Sequence, residues 1–276
     1  MRIIPVMDLM SGQVVRGVAG DRSHYRPIAS VLSPDALPRN IALGFAQRLG
    51  ECEVYVADLD AIAGREPDWD AYQQIIAAGL RPLVDAGIGD TVRARQLADW
   101  AAACSPSAGL VVGLESVREP EQLPAIHSLV APHRCAFSLD LRDGKPVVAG
   151  SGQASDRRSA TRFATRFATT LPEGTGWDSL TARQIADFAV QVGFRRLLVL
   201  DLAAVGVNRG PVGDSLCREL REAHPDIELI TGGGVRDVED LQRLASWGCD
   251  AALVASALHD GRLTADQVRQ VEQDRF

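Results

Sequence analysis

The chain has 276 residues, 46% of them hydrophobic, enough to bury a large core. Its formal charge of −7 argues against a general nucleic-acid binder, although a local basic pocket for phosphate remains compatible with it. No apolar run reaches the roughly 18 residues of a membrane span, and the first strand begins with no leader before it. The five cysteines form no C-x-x-C or His/Cys ligand spacing. A soluble, cytoplasmic protein with buried free thiols, no metal and no membrane partner is therefore expected.

In chain order, eight short apolar runs alternate with helix-like segments. The runs lie near Arg2–Asp8, Glu53–Ala57, Arg81–Asp85, Gly109–Gly113, Arg134–Asp140, Arg195–Leu200, Glu228–Thr231 and Ala251–Val254. Their shortness and β-branched content predict strands. Between them, Leu97, Trp100 and Ala101 are spaced i, i+3, i+4, as are Leu241, Leu244 and Ala245. Thr181 or Ser179 is placed to cap a helix over Ala182–Val192, with Gly193 where a C-terminal glycine belongs. Strand–helix alternation repeated eight times predicts a single (β/α)8 TIM barrel spanning residues 1–276.

The chain also repeats itself. IPVMDLMSGQVV (Ile4–Val15) and FSLDLRDGKPVV (Phe137–Val148) align Asp8 with Asp140. VADLDAIAG matches VLDLAAVGV, placing Asp58 over Asp201, and AGIGD (Ala86–Asp90) matches GGVRD (Gly233–Asp237). Each of the latter precedes a helix ending in Ala-x-Trp, so Trp100 and Trp247 read as equivalent packing residues. The repeat predicts a barrel of two duplicated (β/α)4 halves. Asp8 and Asp140 both end apolar strands, where packing explains a carboxylate poorly. One in each half suggests an acid and a base facing one substrate.

Roughly thirty residues between Val148 and Trp177 interrupt the alternation, as a lid, an insertion or disorder at about 149–177. A tandem Ala-Thr-Arg-Phe sets Phe163 and Phe167 four apart, as in a short amphipathic helix. Arg157, Arg158, Arg162 and Arg166 are candidates for a phosphate clamp, with a solvated low-complexity insertion as the alternative.

TGGGVRD (Thr231–Asp237) follows a strand and opens a helix, so Gly232, Gly233 and Gly234 can bring backbone N–H groups to an anion. The loops after strands seven and eight of a barrel commonly bind phosphate, which adds Ala255 and Ser256. The matched loops of the first half, Gly87, Gly89 and Gly113, are candidates for a second, two-fold-related site, although Leu114 stands where Ser256 does. A phosphorylated small molecule is the expected partner. Arg16, Asp60 and Asp201 are possible further substrate contacts, and His24, Tyr25 and Arg26 lie in a loop that could close. His127, His133 and His224 fall away from the expected mouth and read as structural.

These motifs resemble phosphoribosylformimino-5-aminoimidazole carboxamide ribotide (ProFAR) isomerases over nearly the whole chain outside Val148–Trp177. The carriers are IIPVMDLMSGQVVRG with Gly20-Asp21, VADLD, FSLDLRDGK, Gly176-Trp177 and GGGVRDVEDL. The resemblance implies an Amadori rearrangement of an aminoaldose phosphate to an aminoketose phosphate, in histidine biosynthesis and without metal or organic cofactor. It also implies Asp8 as base and Asp140 as acid. Several positions depart from the family pattern. Leu200-Asp201 replaces a Thr-Asp pair, and Ala204–Val207 replaces an Arg-Asp-Gly-Thr loop. Ala86–Gly89 lacks an arginine, and Gly113-Leu114, followed by Glu115, lacks a hydroxyl. Two alternatives therefore stand beside ProFAR. One is a divergent member acting on another phosphorylated substrate, possibly in one-carbon cofactor biosynthesis. The other is a non-catalytic barrel that binds a phosphometabolite.

Overall fold

The computed structural model describes residues 1–104, 106–149, 171–172, 174–207 and 209–273. Among the described residues, eight parallel strands close into a barrel. They are β1 (Arg2–Met10), β2 (Glu53–Asp58), β3 (Arg81–Asp85), β4 (Gly109–Gly113), β5 (Arg134–Arg142), β6 (Arg196–Asp201), β7 (Glu228–Gly232) and β8 (Ala251–Val254). Each pairs with its neighbour in sequence, and β1 pairs with β8 through Arg2↔Ala251 to Pro5↔Val254, leaving no open edge in the ring. The expected (β/α)8 barrel is what forms, and β3, β4 and β8 match their expected spans residue for residue.

Major helices wrap the ring: α1 (Pro38–Leu49), α2 (Trp69–Ala77), α3 (Thr91–Ala103), α4 (Leu123–Val130), α5 (Ala182–Val192), α6 (Asp214–Ala223), α7 (Val238–Ser246) and α8 (Ala265–Gln273). α5 has the expected boundaries: Thr181 and Gln184 form a capping box, and Gly193 ends it at φ 129°. The repeat is visible in the caps of α3 and α7. Asp90 accepts from the amides of Val92 and Arg93, and Asp237 accepts from the amide of Asp240. Trp100 packs between Trp69 and Tyr72, and Trp247 is buried at the end of α7, so both tryptophans serve packing. His127 meets Phe194 edge to face, and His224 pairs with Asp187 on the outer layer.

Two apolar cores result. The larger lies between sheet and helices, around Met7, Phe45, Val56, Leu110, Phe137 and Leu229. The smaller fills the barrel, where Ile4, Tyr55, Leu83, Val111, Leu198 and Leu253 point inward. Cys217 and Cys249 are buried, Cys52, Cys104 and Cys135 are half-buried, and all five are free thiols. No helix among the described residues is long and apolar enough to cross a membrane.

Strands β1 and β5 run two residues beyond their expected ends and fold back as hairpins. Asp8–Met10 pairs antiparallel with Gln13–Val15, and Leu141–Arg142 with Lys145–Pro146. The turn residues take positive φ in both halves: Ser11 53° and Gly12 74°, Asp143 52° and Gly144 74°. Two consecutive positive φ values match the right-handed twist of the flanking strands, and Asp-Gly is a strong signal for such a turn. The proposed lid, the Phe163/Phe167 helix and the clamp of Arg157, Arg158, Arg162 and Arg166 lie outside the described residues. Beyond that stretch, Trp177 is buried and its Nε1 donates to the Val117 carbonyl at 2.9 Å.

At the N-terminal end of the barrel, Glu53 is buried among guanidinium groups, 2.7 Å from Arg196, 3.0 Å from Arg134 and 3.3 Å from Arg2. Burial alone would raise its carboxyl, but the Arg196 hydrogen bond and the three positive charges outweigh it and hold the pKa below the usual value. A depressed carboxyl pKa stabilises the fold above the unfolded-state value of about 4.3, and the contribution is lost as pH falls through the folded-state value. Replacing Glu53 by Gln removes the carboxylate that Arg134, Arg196 and Arg2 share and leaves Glu228 as the counter-charge of Arg196 and Arg2. A loss of about 3 kcal/mol is expected, at the low end for a broken buried pair because Arg2 and Arg134 are partly solvated. Urea unfolding at pH 7 measures it, and the gap to the native protein should close below about pH 4.

Candidate active site

At the C-terminal end of the barrel, Asp8, Ala57 and Asp85 lie side by side in register on β1, β2 and β3. Asp140 lies on β5, level with Leu200 on β6 and Gly232 on β7. The side-chain alternation that sends Tyr55 and Leu83 into the barrel sends Asp8, Asp85 and Asp140 towards its mouth. Asp8 shares one cavity with Tyr55, Val205, Gly206, Gly233, Gly234, Ala255 and Ser256. Five residues singled out in the sequence thus meet: Asp8, Gly233, Gly234, Ala255 and Ser256. Gly233 and Gly234 take φ 88° and 78°, and a Cβ on Gly234 would stand 2.7 Å from the Gly210 carbonyl. Among the described residues their amides donate to no acceptor, as a phosphate cradle requires.

The loop after β1 folds directly over Asp8. A Cβ on Gly17 would stand 2.8 Å from Asp8 Oδ2, so glycine allows this approach. A Cβ on Gly206, in the loop after β6, would collide with the Gly17 carbonyl, so the two loops meet above the cavity. Burial raises the Asp8 carboxyl from 3.8 to about 7, against the opposing charge of Arg22. Burial and the Asp8 charge raise the nearby Tyr25 hydroxyl to about 12.

Asp140 is only 6% exposed. Its Oδ1 accepts from the Ser138 hydroxyl at 2.9 Å, whereas buried Oδ2 has no hydrogen-bond partner among the described residues. Burial, then the carboxylates of Glu115 and Asp85, hold its pKa well above the usual range, with the Ser138 hydroxyl and the Glu115 amide opposing. Asp85 is raised to about 7 by burial and by Glu115, against donation from the Gly87 amide and the Tyr55 hydroxyl. The Tyr55 hydroxyl is itself raised by burial and by the charges of Asp85, Asp140, Asp8 and Glu115. Arg22 lies 3.8 Å from Glu115 and donates to the Leu59 carbonyl at 3.4 Å.

Other expected residues are occupied elsewhere. The Gly87 amide donates to Asp85 Oδ1 at 3.2 Å, and a Cβ on Gly89 would collide with the Ser116 carbonyl. Gly113 lies beneath the carboxyls of Asp85 and Asp140, and Leu114 is buried with its amide bonded to the Ser138 carbonyl at 2.9 Å. Gly232 stays in β7, where a Cβ would press on Leu253 at 2.6 Å. Arg16 pairs with Asp260. Asp60 accepts from the Ser11 amide at 2.7 Å, and Asp201 from the amides of Asp143 (3.1 Å) and Gly144 (2.8 Å). These two carboxylates hold the paired hairpin turns. His24 bonds Asp21, and Arg26 bonds the Ser23 and Tyr25 carbonyls, both on the exposed loop. The sequence reading did not single out Tyr55, Arg22 or Gly17, and it placed Asp85 only as a strand-end carboxylate in a position like that of Asp201. Tyr55 carried a signal, a phenol two residues before a strand end on the alternation that faces the barrel.

The family described as "Histidine biosynthesis protein" matches residues 2–264. The chain is 30% identical over 263 residues to the 1-(5-phosphoribosyl)-5-((5-phosphoribosylamino)methylideneamino) imidazole-4-carboxamide isomerase of Thermus thermophilus, covering 95% of this chain and 96% of that protein. The Deinococcus radiodurans protein of the same name is 30% identical, with 95% of each chain covered. An uncharacterized protein of Methanocaldococcus jannaschii is 25% identical over 97% of both chains. A match from the first strand to α7 and beyond, on a barrel whose halves place Asp8 and Asp140 alike, leads to one conclusion: the chain belongs to the histidine biosynthesis protein family.

Proposed function

We propose that the protein is an aldose–ketose isomerase that carries out the Amadori rearrangement of a phosphorylated aminosugar, with ProFAR, the substrate of its named relatives, as the default. One observation carries this reading. Two carboxyls occupy equivalent places in the two half-barrels but unlike surroundings: Asp8 lines the cavity beside the glycine loop, whereas Asp140 is buried with Oδ2 unpartnered among the described residues. Such a division supplies the acid and the base that an isomerase needs at one pH.

Asp140 bears its proton on the unpartnered Oδ2 and gives it to the ribose ring oxygen as the C1–O bond breaks, leaving an iminium. Asp8, partly ionised near pH 7 and open to the cavity, removes the C2 proton, and the electron pair forms the C1–C2 double bond of an enolamine. The O2 proton then returns to Asp140 while C1 takes a proton from Asp8. This yields the ketone and restores both carboxyls. The amides of Gly233 and Gly234 and the Ser256 hydroxyl hold the phosphate beside Asp8. The loops of Gly17 and Gly206 exclude water above it.

A second reading, a family member acting on another phosphorylated compound such as a one-carbon cofactor precursor, rests on a separate observation. Around β3 and β4, where a second phosphate of ProFAR would need donors, the chain presents buried Leu114, Glu115 and Asp85.

Turnover of ProFAR by the purified protein, read by separating substrate from ketose product, tests the reading. Asp8→Asn and Asp140→Asn should each lose roughly 10²–10⁴-fold in kcat. Turnover retained in either variant overturns the assigned chemistry. Because the base must be ionised and the acid protonated, kcat should rise through about pH 7 and fall only at higher pH, as Asp140 ionises. Ser256→Asp adds a carboxylate where phosphate would bind and should raise KM by about tenfold to a hundredfold, with kcat less affected.

A further inference from the structure

Gly113 is the point from which a third carboxyl enters the mechanism. An ideal Cβ there would stand 3.4 Å from Asp85 Oδ2 and 3.6 Å from Asp140 Oδ2, so the two carboxyls face each other across a residue with no side chain. Both are buried, Asp85 at 3% and Asp140 at 6% exposure. Their hydrogen bonds are unequal. Asp85 takes two donors, Tyr55 Oη on Oδ2 at 3.3 Å and the Gly87 amide on Oδ1 at 3.2 Å, and donors of this kind favour the anion. Asp140 takes the Ser138 hydroxyl on Oδ1, feels the Glu115 amide more weakly, and leaves Oδ2 without a hydrogen-bond partner among the described residues. Two buried carboxyls this close cannot both ionise readily, and the donor set decides which keeps the proton.

We propose that Asp85 is a positioning residue of the acid–base system, acting through Asp140 by keeping the shared proton on Asp140 Oδ2 at neutral pH. The role rests on the reading of Asp140 as the acid. When Asp140 gives its proton to the ring oxygen, two carboxylates are left facing across Gly113. That repulsion drives Asp140 to recover a proton from O2 of the enolamine, which forms the ketone and closes the cycle.

The other groups around the pair are few. Glu115 adds a like charge from the loop after β4, and Tyr55 donates from β2. Ser138 donates from β5, and Leu200 of β6 is apolar. Asp8 lies in register beyond Ala57 on β1, and Arg22, held at Glu115, supplies the opposing charge. Removing Asp85 removes a negative neighbour, so Asp140 should ionise at lower pH while Asp8 still sets the acid limb.

The test is the pH profile of kcat for Asp85→Asn against the native chain, with carboxyl-carbon NMR titration of both proteins. The alkaline limb and the Asp140 resonance should move to lower pH by about one unit or more, with KM changed less than about threefold. In the native chain, the Asp85 and Asp140 resonances should each respond in both of two shared steps. A uniform loss of rate with the limb in place, or an Asp140 titration unmoved in the variant, overturns the proposal. Should Asp85→Asn fail to fold, the native titration decides alone, and two independent single steps overturn it. Loss of the isomerase reading would show separately, as absent turnover in the native protein, and would leave the NMR result interpretable.

Discussion

Closure of the sheet is the constraint on which everything else depends. Pairing of Arg2–Pro5 with Ala251–Val254 satisfies the last free strand edge and brings the two ends of the chain together. Asp8, from the first strand, thereby lines the same cavity as Ala255 and Ser256, nearly the whole chain away. The glycine loop and Asp8 thereby share one space, although they lie far apart in the chain. Every strand also points its C-terminal end at the same mouth, and strand ends are where a barrel can place polar groups without breaking its core.

The duplication shows how the two halves divided the work. Their scaffolding stayed alike: paired hairpins with positive-φ turns, each held by a carboxylate, and aspartate caps on α3 and α7. Their chemistry diverged. The loops after β7 and β8 place the Gly233 and Gly234 amides, unbonded among the described residues, and the Ser256 hydroxyl on the cavity that Asp8 lines. In the loops after β3 and β4, the Gly87 and Leu114 amides are bonded internally, and carboxyls gather around Gly113. Burying several carboxyls together raises their pKa values, because each loses water and none has a dedicated cation. At the opposite end, Glu53 shows the reverse outcome, since three guanidinium groups surround it. The same side-chain chemistry thus meets guanidinium groups at one end of the barrel and other carboxyls at the other.

Much of this was legible in the residues. The eight strands stood out as short β-branched runs, the repeat exposed the two halves, and Asp8 and Asp140 were visible as carboxylates at strand ends. The hairpins were not foreseen, although Asp143-Gly144 is a strong turn signal, because both strands were taken to end at Asp8 and Asp140, where the polar residues begin. Asp60 and Asp201 were expected near substrate, yet both hold those hairpins. A strand-end carboxylate can face the mouth or a neighbouring turn, and spacing alone does not distinguish the two.

The sequence by itself determined the fold class, the duplication, the two matched strand-end aspartates and the glycine loop, since each is written in local pattern or in self-similarity. Tertiary structure alone decided which carboxyls share an environment. Strands buried on both faces read as continuous apolar runs, so their period does not say which side chains enter the barrel. Whether Asp85 meets Asp140, and whether Tyr55 reaches either, depends on strand register and on the missing side chain at Gly113. Those are distances between residues far apart in the chain, and they exist only once the ring has closed.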